Sequence, residues 1–410
     1  MVRKKHILEY ILFFIWPVAS LVRALSKYKS PWAKNILWLF VAFYGFAFLS
    51  YSDTADSLDY MARLATFHSQ DITFNDFVSD LYVQPGPHTP DLFEPFLTYI
   101  ISRFTDDSRI FFAVVGLVFG FFYSRNIWFI IDHTNGKLKK IILPFFLLTF
   151  VIIPFWQING VRFFTAANVF LYGILPYLVY KEKKYLFFTV LAGFFHFSLF
   201  AALPLILIYI FIGNRTSLFF ILYLISFGFT QISIEPFQEL INYLPAAFQM
   251  KFQSYLQVER AIEVAEHDQM RSTLNIITLE SLRYVILILT IIVYIIHKKN
   301  QLTKAQFFNL FPFALLFLGI FNILAYIPSV YRFIPIGNFI MIGFFILFFQ
   351  NYSLPKKLKP VLQLTISLIL LHIIGKLYVG TKFIGLYFFT NPIIALWGPG
   401  EFTLFDLVGF

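Results

Sequence analysis

Residues 333–350 read FIPIGNFIMIGFFILFFQ, eighteen positions without one charged side chain. A helix needs about 20 mostly apolar residues to cross the hydrocarbon of a bilayer. Comparable apolar runs lie elsewhere in the chain, at 36–51, 108–131, 141–157, 162–180, 185–212, 217–234, 278–297, 306–327 and 360–377. The sequence therefore predicts an all-α polytopic membrane bundle with about ten to twelve transmembrane segments.

The composition of the 410-residue chain supports the same fold class. Hydrophobic residues make up 59% of it and charged residues 13%, with a mean hydropathy of +0.74, far from the balance of a soluble domain. The two longest polar stretches, 52–93 and 235–277, are too short to form independent cores. We therefore expect one transmembrane domain over 1–410 that carries two elaborated outer loops.

Motifs of metal and cofactor enzymes are missing from the sequence. The chain has no cysteine, which excludes disulfides and thiolate metal sites, and its eight histidines are scattered. No HExxH pair, P-loop, Rossmann fingerprint or G-x-S-x-G elbow is present. We therefore predict neither a metal site nor a cofactor.

The basic residues predict an orientation in the membrane. A net charge of +10 can indicate nucleic acid, but 21 Lys and Arg, with only three acids, lie in 1–35, 125–140, 181–184, 213–216, 298–305 and 351–359. The positive-inside rule places these segments in the cytoplasm. The other side then has 11 basic against 19 acidic residues. We therefore expect a lipid bilayer as partner, no nucleic acid, and acidic loops that face outward.

This orientation requires residues 185–212 to enter and leave the membrane on the cytoplasmic side. The run is short for two crossings, and the polar His196 and Ser198 lie at its midpoint. Non-helical backbone is tolerated at membrane depth where it is buried in protein or lines a wet cavity. A broken hairpin is therefore predicted.

Residues 7–22 are flanked by basic residues on both sides, which predicts an interfacial helix. A cleaved signal peptide is the alternative, because Ala24 and Ser26 imitate a cleavage site. The basic residues just beyond disfavour export.

The first outer loop begins with an acidic helical pattern, YSDTADSLDYMARLATF at 51–67. Helical spacing puts four polar side chains on one face, namely Asp53, Asp56, Tyr60 and Arg63. One interpretation is an ordinary amphipathic helix, capped by Ser52 or Asp53, with Asp59 and Arg63 as a solvated pair. The other is that a carboxylate acts as a base or binds a polyhydroxylated substrate.

The same loop ends in PDLFEPFLTYI at 90–100. Pro95 suits the first turn of a helix, and Glu94 is expected at the cap position. Capping alone could explain both residues. Glu94 is nevertheless a second carboxylate at the membrane surface, available to a sugar hydroxyl.

Three arginines are predicted at the outer ends of spans, where basic residues are scarce. Arg162 follows the Asn159-Gly160 turn signal, Arg332 follows Pro328, and Arg283 lies in LESLRYVIL. Long basic side chains can simply reach for lipid headgroups. Guanidinium groups also bind phosphate in a bidentate way, so two or three converging arginines would suit a pyrophosphate.

For His196 and for the segment 255–271, the sequence allows two interpretations each. His196 in AGFFHFSLF lies within an apolar run, where it is either a structural histidine or part of a polar path through the bundle. The segment YLQVERAIEVAEHDQMR at 255–271 is predicted as an acidic amphipathic helix, mainly a lid or a solvated face.

Together these motifs form an ordered series: Asp56-x-x-x-Tyr60, Glu94-Pro95, Asn159-x-x-Arg162 with Ala166, and Phe195-His196-x-Ser198. The series resembles the EpsG-like branch of the Wzy-type polysaccharide polymerases. The resemblance runs from about residue 50 to 212, with weaker support from Tyr331-Arg332-Phe333. Phe163 stands where the family commonly has Gln.

The resemblance implies a glycosyltransferase that joins oligosaccharide repeat units carried on undecaprenyl diphosphate at the outer face of the bacterial inner membrane. It implies Arg162 and Arg332 as diphosphate ligands, Asp56 or Glu94 as acceptor-handling residues, and His196 as a further catalytic group. Substrate contacts are expected from a second set, Asp59, Tyr60, Arg63, Asn159 and Arg283. Chain-length regulators and flippases are the protein partners that it implies.

Other functions fit the same sequence. A membrane glycosyltransferase that adds one sugar from a polyprenyl-phosphate donor needs the same outer carboxylates. A flippase or other transporter of lipid-linked saccharides should show two related halves, and no internal repeat is evident. A membrane acyltransferase would need catalytic residues reachable from the cytoplasm, where the loops offer only Lys, Arg and His133.

Overall fold

The computed structural model describes residues 6–49, 56–70, 72–82, 91–229, 243, 249, 273–300, 305–325, 327, 329–352, 355–397 and 402–408. Its α-helices in chain order are α1 (Ile7–Ile15), α2 (Pro17–Ser26), α3 (Ala33–Phe46), α4 (Asp56–Ser69), α5 (Phe74–Tyr82), α6 (Phe93–Ser102), α7 (Ser108–Asp132), α8 (Leu143–Ile152), α9 (Phe163–Tyr180), α10 (Leu186–Phe195), α11 (Leu203–Ile212), α12 (Thr216–Ile225), α13 (Thr273–Asn300), α14 (Leu310–Leu324), α15 (Ile334–Asn351), α16 (Lys359–Gly380), α17 (Pro392–Ala395) and α18 (Leu404–Val408). In these ranges β pairing is confined to two isolated bridges.

Seven helices of the described residues are long and apolar enough to cross a membrane, which confirms the all-α polytopic fold. They are Ser108–Asp132, Lys140–Gly160, Phe163–Tyr180, Glu280–Lys299, Gln306–Leu324, Val330–Asn351 and Lys356–Phe383. The other predicted spans are shorter apolar helices at Ala33–Phe46, Phe197–Ile212 and Thr216–Gly228. Most of the segment predicted as the second outer loop, 235–277, lies outside the described residues.

Helices α3 and α7 pack against each other antiparallel, and glycines allow the contact. A Cβ atom on Gly45 would lie 2.1 Å from the carbonyl oxygen of Phe112, and one on Gly116 would lie 2.6 Å from that of Val41. Without a side chain at these positions the two backbones can approach closely, as small residues allow in membrane helices.

Lysines mark one end of the bundle, where α7 and α15 finish. Lys29 Nζ donates to the carbonyl oxygens of Ile131 and Thr134, both at 2.7 Å. Lys139 Nζ donates to the carbonyl oxygen of Phe349 at 3.0 Å. A cation is favourable here because the last carbonyl groups of a helix lack intrahelical partners. We call this the basic end, and the opposite end, where α7 and α9 begin, the site end.

The segment predicted as one interfacial helix at 7–22 is two helices, α1 and α2. Pro17 begins the second helix, and Trp16 before it is extended, with φ −152° and ψ 91°. This is the conformation that a following proline favours. Arg23 Nε donates to Glu9 across the two helices at 2.5 Å, so the pair folds back on itself. Its position relative to a membrane stays a prediction.

The predicted broken hairpin is confirmed. Helix α10 ends at Phe195, His196 is extended with φ −149° and ψ 116°, and a 3₁₀ segment, Phe197–Ala202, leads into α11. The far end of α11 returns to the basic end, where Tyr209 lies under the Lys181 ammonium at 5.2 Å. The hairpin tip, residues 194–197, reaches the site end.

Candidate functional site

The site forms where α4, α6, the start of α9 and the hairpin tip meet. The backbone N–H of Leu92 donates to the carbonyl oxygen of Phe194 at 2.9 Å. The rings of Phe93 and Phe195 stack with centroids 4.4 Å apart. These contacts hold the segment before α6 on the hairpin tip.

Asp91 joins two distant parts of the chain from a fully buried position, with 0% of the residue exposed. Its Oδ2 lies 3.0 Å from Arg162 Nη1, and its Oδ1 accepts a 2.7 Å hydrogen bond from the backbone N–H of Phe197. That N–H begins the 3₁₀ segment and has no partner within the helix. One carboxylate thus anchors both Arg162 and the hairpin tip.

Glu94 makes a second buried ion pair beside the first. Its Oε2 accepts from Arg63 Nη1 at 2.6 Å, its Oε1 accepts from Thr98 at 2.9 Å, and the residue is 0% exposed. The predicted cap position was wrong, because Leu92 is the cap residue and Glu94 lies within the first turn. The carboxylate turns into the protein, where Arg63 neutralises it.

The expected pair of Asp59 and Arg63 does not form. Asp59 is exposed, and Arg63 reaches across to Glu94. A buried carboxylate is costly to leave without a counter-ion, whereas an exposed pair of this kind contributes little.

Tyr60 contacts Arg162 of the first ion pair and lies on the same helix as Arg63 of the second. Its side chain is buried, and its hydroxyl oxygen accepts from Arg162 Nε at 3.2 Å. Arg63 lies one turn further along α4, so both residues point to the same side, as the helical spacing predicts. We call Tyr60, Arg63, Asp91, Glu94 and Arg162 the paired-charge cluster. Asp56 begins α4, while Asp53 and the side chain of Asp56 lie outside the described residues.

Burial and neighbouring charges act on both halves of the cluster. Burial raises the pKa of Glu94 above its ordinary value, against the opposing effects of Arg63 and the Thr98 hydrogen bond. Burial alone would lower the pKa of Arg162, but Tyr60 and Asp91 raise it above the ordinary value. Arg162 therefore keeps its positive charge, and its side chain is still 22% exposed.

His196 lies close to the cluster on the hairpin tip. Its Nδ1 is 2.8 Å from the Ser198 hydroxyl, and its ring meets that of Phe163 edge to face with centroids 5.3 Å apart. Phe163 follows Arg162 directly, so the structure brings His196 and Arg162 to the same place.

Arg332 is linked to the element of Arg162 by a contact of the next residue, Phe333. The ring of Phe333 meets that of Phe163 with centroids 5.4 Å apart, which sets the backbones of Arg332 and Arg162 on adjoining elements. The Arg332 side chain is half-buried, and no described residue pairs with it.

Asn159 and Arg283 complete the predicted residues. Asn159 precedes α9, and its buried Oδ1 has no hydrogen-bond partner in the described part of the chain. Arg283 pairs with Glu280 at 3.7 Å and lies over the Phe227 ring at 4.7 Å. No described contact joins Arg283 to the paired-charge cluster.

Sequence reasoning did not select Asp91. The available signal was its spacing, because Asp91 lies three residues before Glu94 and precedes the same helix. Arg162 also needed a counter-ion, since it stood at the end of an apolar span. Within the described ranges no group of three or more His, Cys, Asp or Glu side chains could hold a metal ion.

The comparisons with known proteins agree with the residue series. No curated protein and no solved structure matches the chain. The model of the EpsG family matches residues 35–392, which include every residue of the paired-charge cluster and most of the helices. This polytopic helical membrane protein therefore belongs to the EpsG family.

Proposed function

We propose that this protein is a polysaccharide polymerase that joins oligosaccharide repeat units carried on undecaprenyl diphosphate. The reaction would take place at the outer face of the bacterial cytoplasmic membrane. One observation carries the proposal: Asp91 and Tyr60 hold Arg162 at the site end, where the contact of Phe163 with Phe333 joins the element of Arg162 to that of Arg332. Membership of the EpsG family supports it.

The chemistry is glycosyl transfer between two lipid-linked saccharides. A hydroxyl group of the acceptor attacks the anomeric carbon of the donor, and the bond from that carbon to the diphosphate oxygen breaks. The bonding electrons stay on the diphosphate, which leaves as polyprenyl diphosphate. The acceptor proton passes to a basic group of the site.

Arg162 is suited to stabilise the leaving diphosphate. Asp91 binds Nη1 and Tyr60 binds Nε, while Nη2 makes no hydrogen bond to a described residue. A fixed guanidinium costs no reorganisation when charge develops on the leaving group. Arg332, without a carboxylate partner among the described residues, would supply the second positive charge.

Three groups are available for the acceptor proton. The Glu94 carboxylate is buried and neutralised by Arg63, which favours a positioning role for it. Asp56 at the start of α4 and His196 on the hairpin tip are then the stronger choices for the base. Asp59, exposed on α4, and Asn159 would contact the saccharide.

The polymerase would work with the flippase that supplies lipid-linked units and with a chain-length regulator. The charge distribution supports this orientation, since lysines lie at the basic end and the paired-charge cluster lies opposite. By the positive-inside rule the site end would face the outside.

Deletion of the gene, followed by gel analysis of surface polysaccharide, tests the proposal. Loss of the ladder with one retained repeat unit is the expected result. A surface glycan that lacks only a single sugar residue would indicate a single-sugar transferase instead. Unchanged glycans would overturn the proposal.

Complementation with Arg162→Ala or Arg332→Ala tests the diphosphate assignment. We expect about a hundredfold less polymer or none, because loss of one donor to a developing anion has an effect of this size. Arg215→Ala is the matched control, because Arg215 is exposed just beyond α11. If both site variants, present in the membrane at the wild-type level, gave a normal polysaccharide ladder, the assignment of Arg162 and Arg332 to the diphosphate would be wrong.

A further inference from the structure

A different arginine lies half-buried in the last third of a helix long enough to cross the membrane. Arg125 belongs to α7, seven residues before its end at Asp132, or about 10 Å along the helix axis. It therefore lies within the candidate span Ser108–Asp132, toward the basic end, whereas the charge pattern counted it as the first residue of the cytoplasmic segment 125–140. A charged side chain at such depth needs a counter-ion or a polar path.

The protein supplies Arg125 with aromatic rings and neutral acceptors. The guanidinium carbon lies 4.8 Å from the Trp38 ring centroid and 4.3 Å from that of Phe121. Nη1 donates to the Ser124 hydroxyl and Nη2 donates to Asn35 Oδ1, both at 2.8 Å. These contacts orient the group but leave its charge uncompensated.

No carboxylate of the described residues pairs with Arg125. The carboxylate of Glu9, for example, pairs with Arg23. The polar groups that interact with Arg125 from further away are the hydroxyls of Tyr10 and Tyr172. This differs from the paired-charge cluster, where each buried acid has its arginine.

We propose that Arg125, Trp38, Phe121 and Asn35 form a binding site for the phosphate group of an anionic membrane lipid. Guanidinium binds phosphate through parallel hydrogen bonds, and Arg125 Nε makes no hydrogen bond to a described residue. Arg125 and Trp38 are both partly exposed on the flank of α3 and α7. A lipid whose chains lie along these helices can present its phosphate there, and the site does not depend on the proposed polymerase reaction.

The test is lipid retention by the purified full-length protein, measured by native mass spectrometry in detergent. Phosphatidylglycerol and phosphatidylcholine are added separately to wild type, Arg125→Gln and Arg125→Lys. Wild type should retain one phosphatidylglycerol with at least about tenfold preference over phosphatidylcholine, as a charge-assisted contact predicts. Arg125→Gln should lose this preference.

Arg215→Gln is the matched control, because it removes the same charge from an exposed position and should leave the preference unchanged. Arg125→Lys keeps the charge but loses the flat, stacked cation, so an intermediate preference is expected. This variant also tests the proposal if Arg125→Gln does not fold.

A second arm separates lipid from free phosphate. Inorganic phosphate at millimolar concentration should not displace the retained lipid or raise the melting temperature. Displacement by phosphate would overturn the lipid assignment. An undiminished phosphatidylglycerol preference in Arg125→Gln or in Arg125→Lys would overturn the site.

Discussion

Asp91 and Phe197 lie 106 positions apart in the sequence, yet the Asp91 carboxylate accepts a 2.7 Å hydrogen bond from the Phe197 backbone N–H. The other oxygen of the same carboxylate holds Arg162. The start of α6, the hairpin tip and the arginine before α9 thus share one buried anion. This arrangement makes the break in the hairpin part of the site.

Substitution of Asp91 should separate its two contacts. Asp91→Asn keeps an acceptor for the Phe197 N–H but loses the charge that faces Arg162, whereas Asp91→Ala loses both. Because removal of one partner of a buried ion pair costs about 3–5 kcal/mol, both variants should melt at lower temperature. We expect Asp91→Ala to be the less stable of the two.

Polymer assays on these variants distinguish positioning from mere stability. Asp91→Asn should lower polymer formation even at a membrane level equal to that of wild type, because Arg162 is no longer held. Equal polymer yields per molecule in Asp91→Asn and wild type would contradict the role assigned to Asp91.

The pair of Arg63 and Glu94 should respond unequally to loss of either partner. Arg63→Gln removes the hydrogen-bonded counter-ion of a fully buried carboxylate, while Glu94→Gln leaves an arginine whose side chain is 38% exposed and can reach water. We expect a loss of about 3 kcal/mol or more for the first and a smaller loss for the second.

The double variant Arg63→Gln/Glu94→Gln completes a cycle. Residues in direct contact are non-additive, so the double variant should be more stable than Arg63→Gln alone. Chemical or thermal denaturation in detergent measures all four proteins. Strict additivity would show that the two side chains do not interact energetically.

Acidification should affect the site through Glu94. Its pKa lies above the ordinary 4.5 because the group is buried, so it takes up a proton at a higher pH than an exposed glutamate. Polymerisation in membrane vesicles should therefore fall with an acid midpoint above 4.5. Glu94→Gln should have lower activity without this acid limb.

The sign for stability is opposite to that for activity. A carboxyl group whose pKa is raised by folding stabilises the fold most below its unfolded pKa, and the contribution is lost as pH rises through the folded pKa.

For the pH profile of polymerisation, Asp76→Asn is a suitable control, because Asp76 is exposed and hydrogen bonds from Thr73 lower its pKa. An unchanged acid limb in Glu94→Gln would exclude Glu94 as its source.

Helix packing gives a prediction that is independent of function. Gly45→Ala would place a Cβ atom 2.1 Å from the backbone oxygen of Phe112, so α3 and α7 would have to separate. Overpacking of this kind costs about 1–3 kcal/mol or more. Gly228→Ala is the control, since a Cβ there meets nothing within 4 Å. Equal melting temperatures of the two variants would contradict the close packing.

Much of the fold was predictable because its signals are local. The apolar run at 333–350 is itself long enough to cross a bilayer, and polar His196 within an apolar segment indicated the break that the structure has. Even the division of 7–22 was implicit in Pro17, which disfavours helical backbone in the residue before it. The bounds of α3 (Ala33–Phe46) and α12 (Thr216–Ile225) were harder to predict, because hydropathy depends on composition and does not show which residue begins or ends a helix.

The sequence by itself determined the fold class and the residue types of the site, since apolar length and motif order are properties of the chain. Only the tertiary structure decided the partners. Local spacing favoured Asp59 as the partner of Arg63, but Arg63 pairs with the buried Glu94 instead. Arg162 pairs with Asp91, which lies 71 positions away in the sequence. The reason is that a buried charge must be matched wherever helix packing places it, and that place depends on contacts distant in sequence.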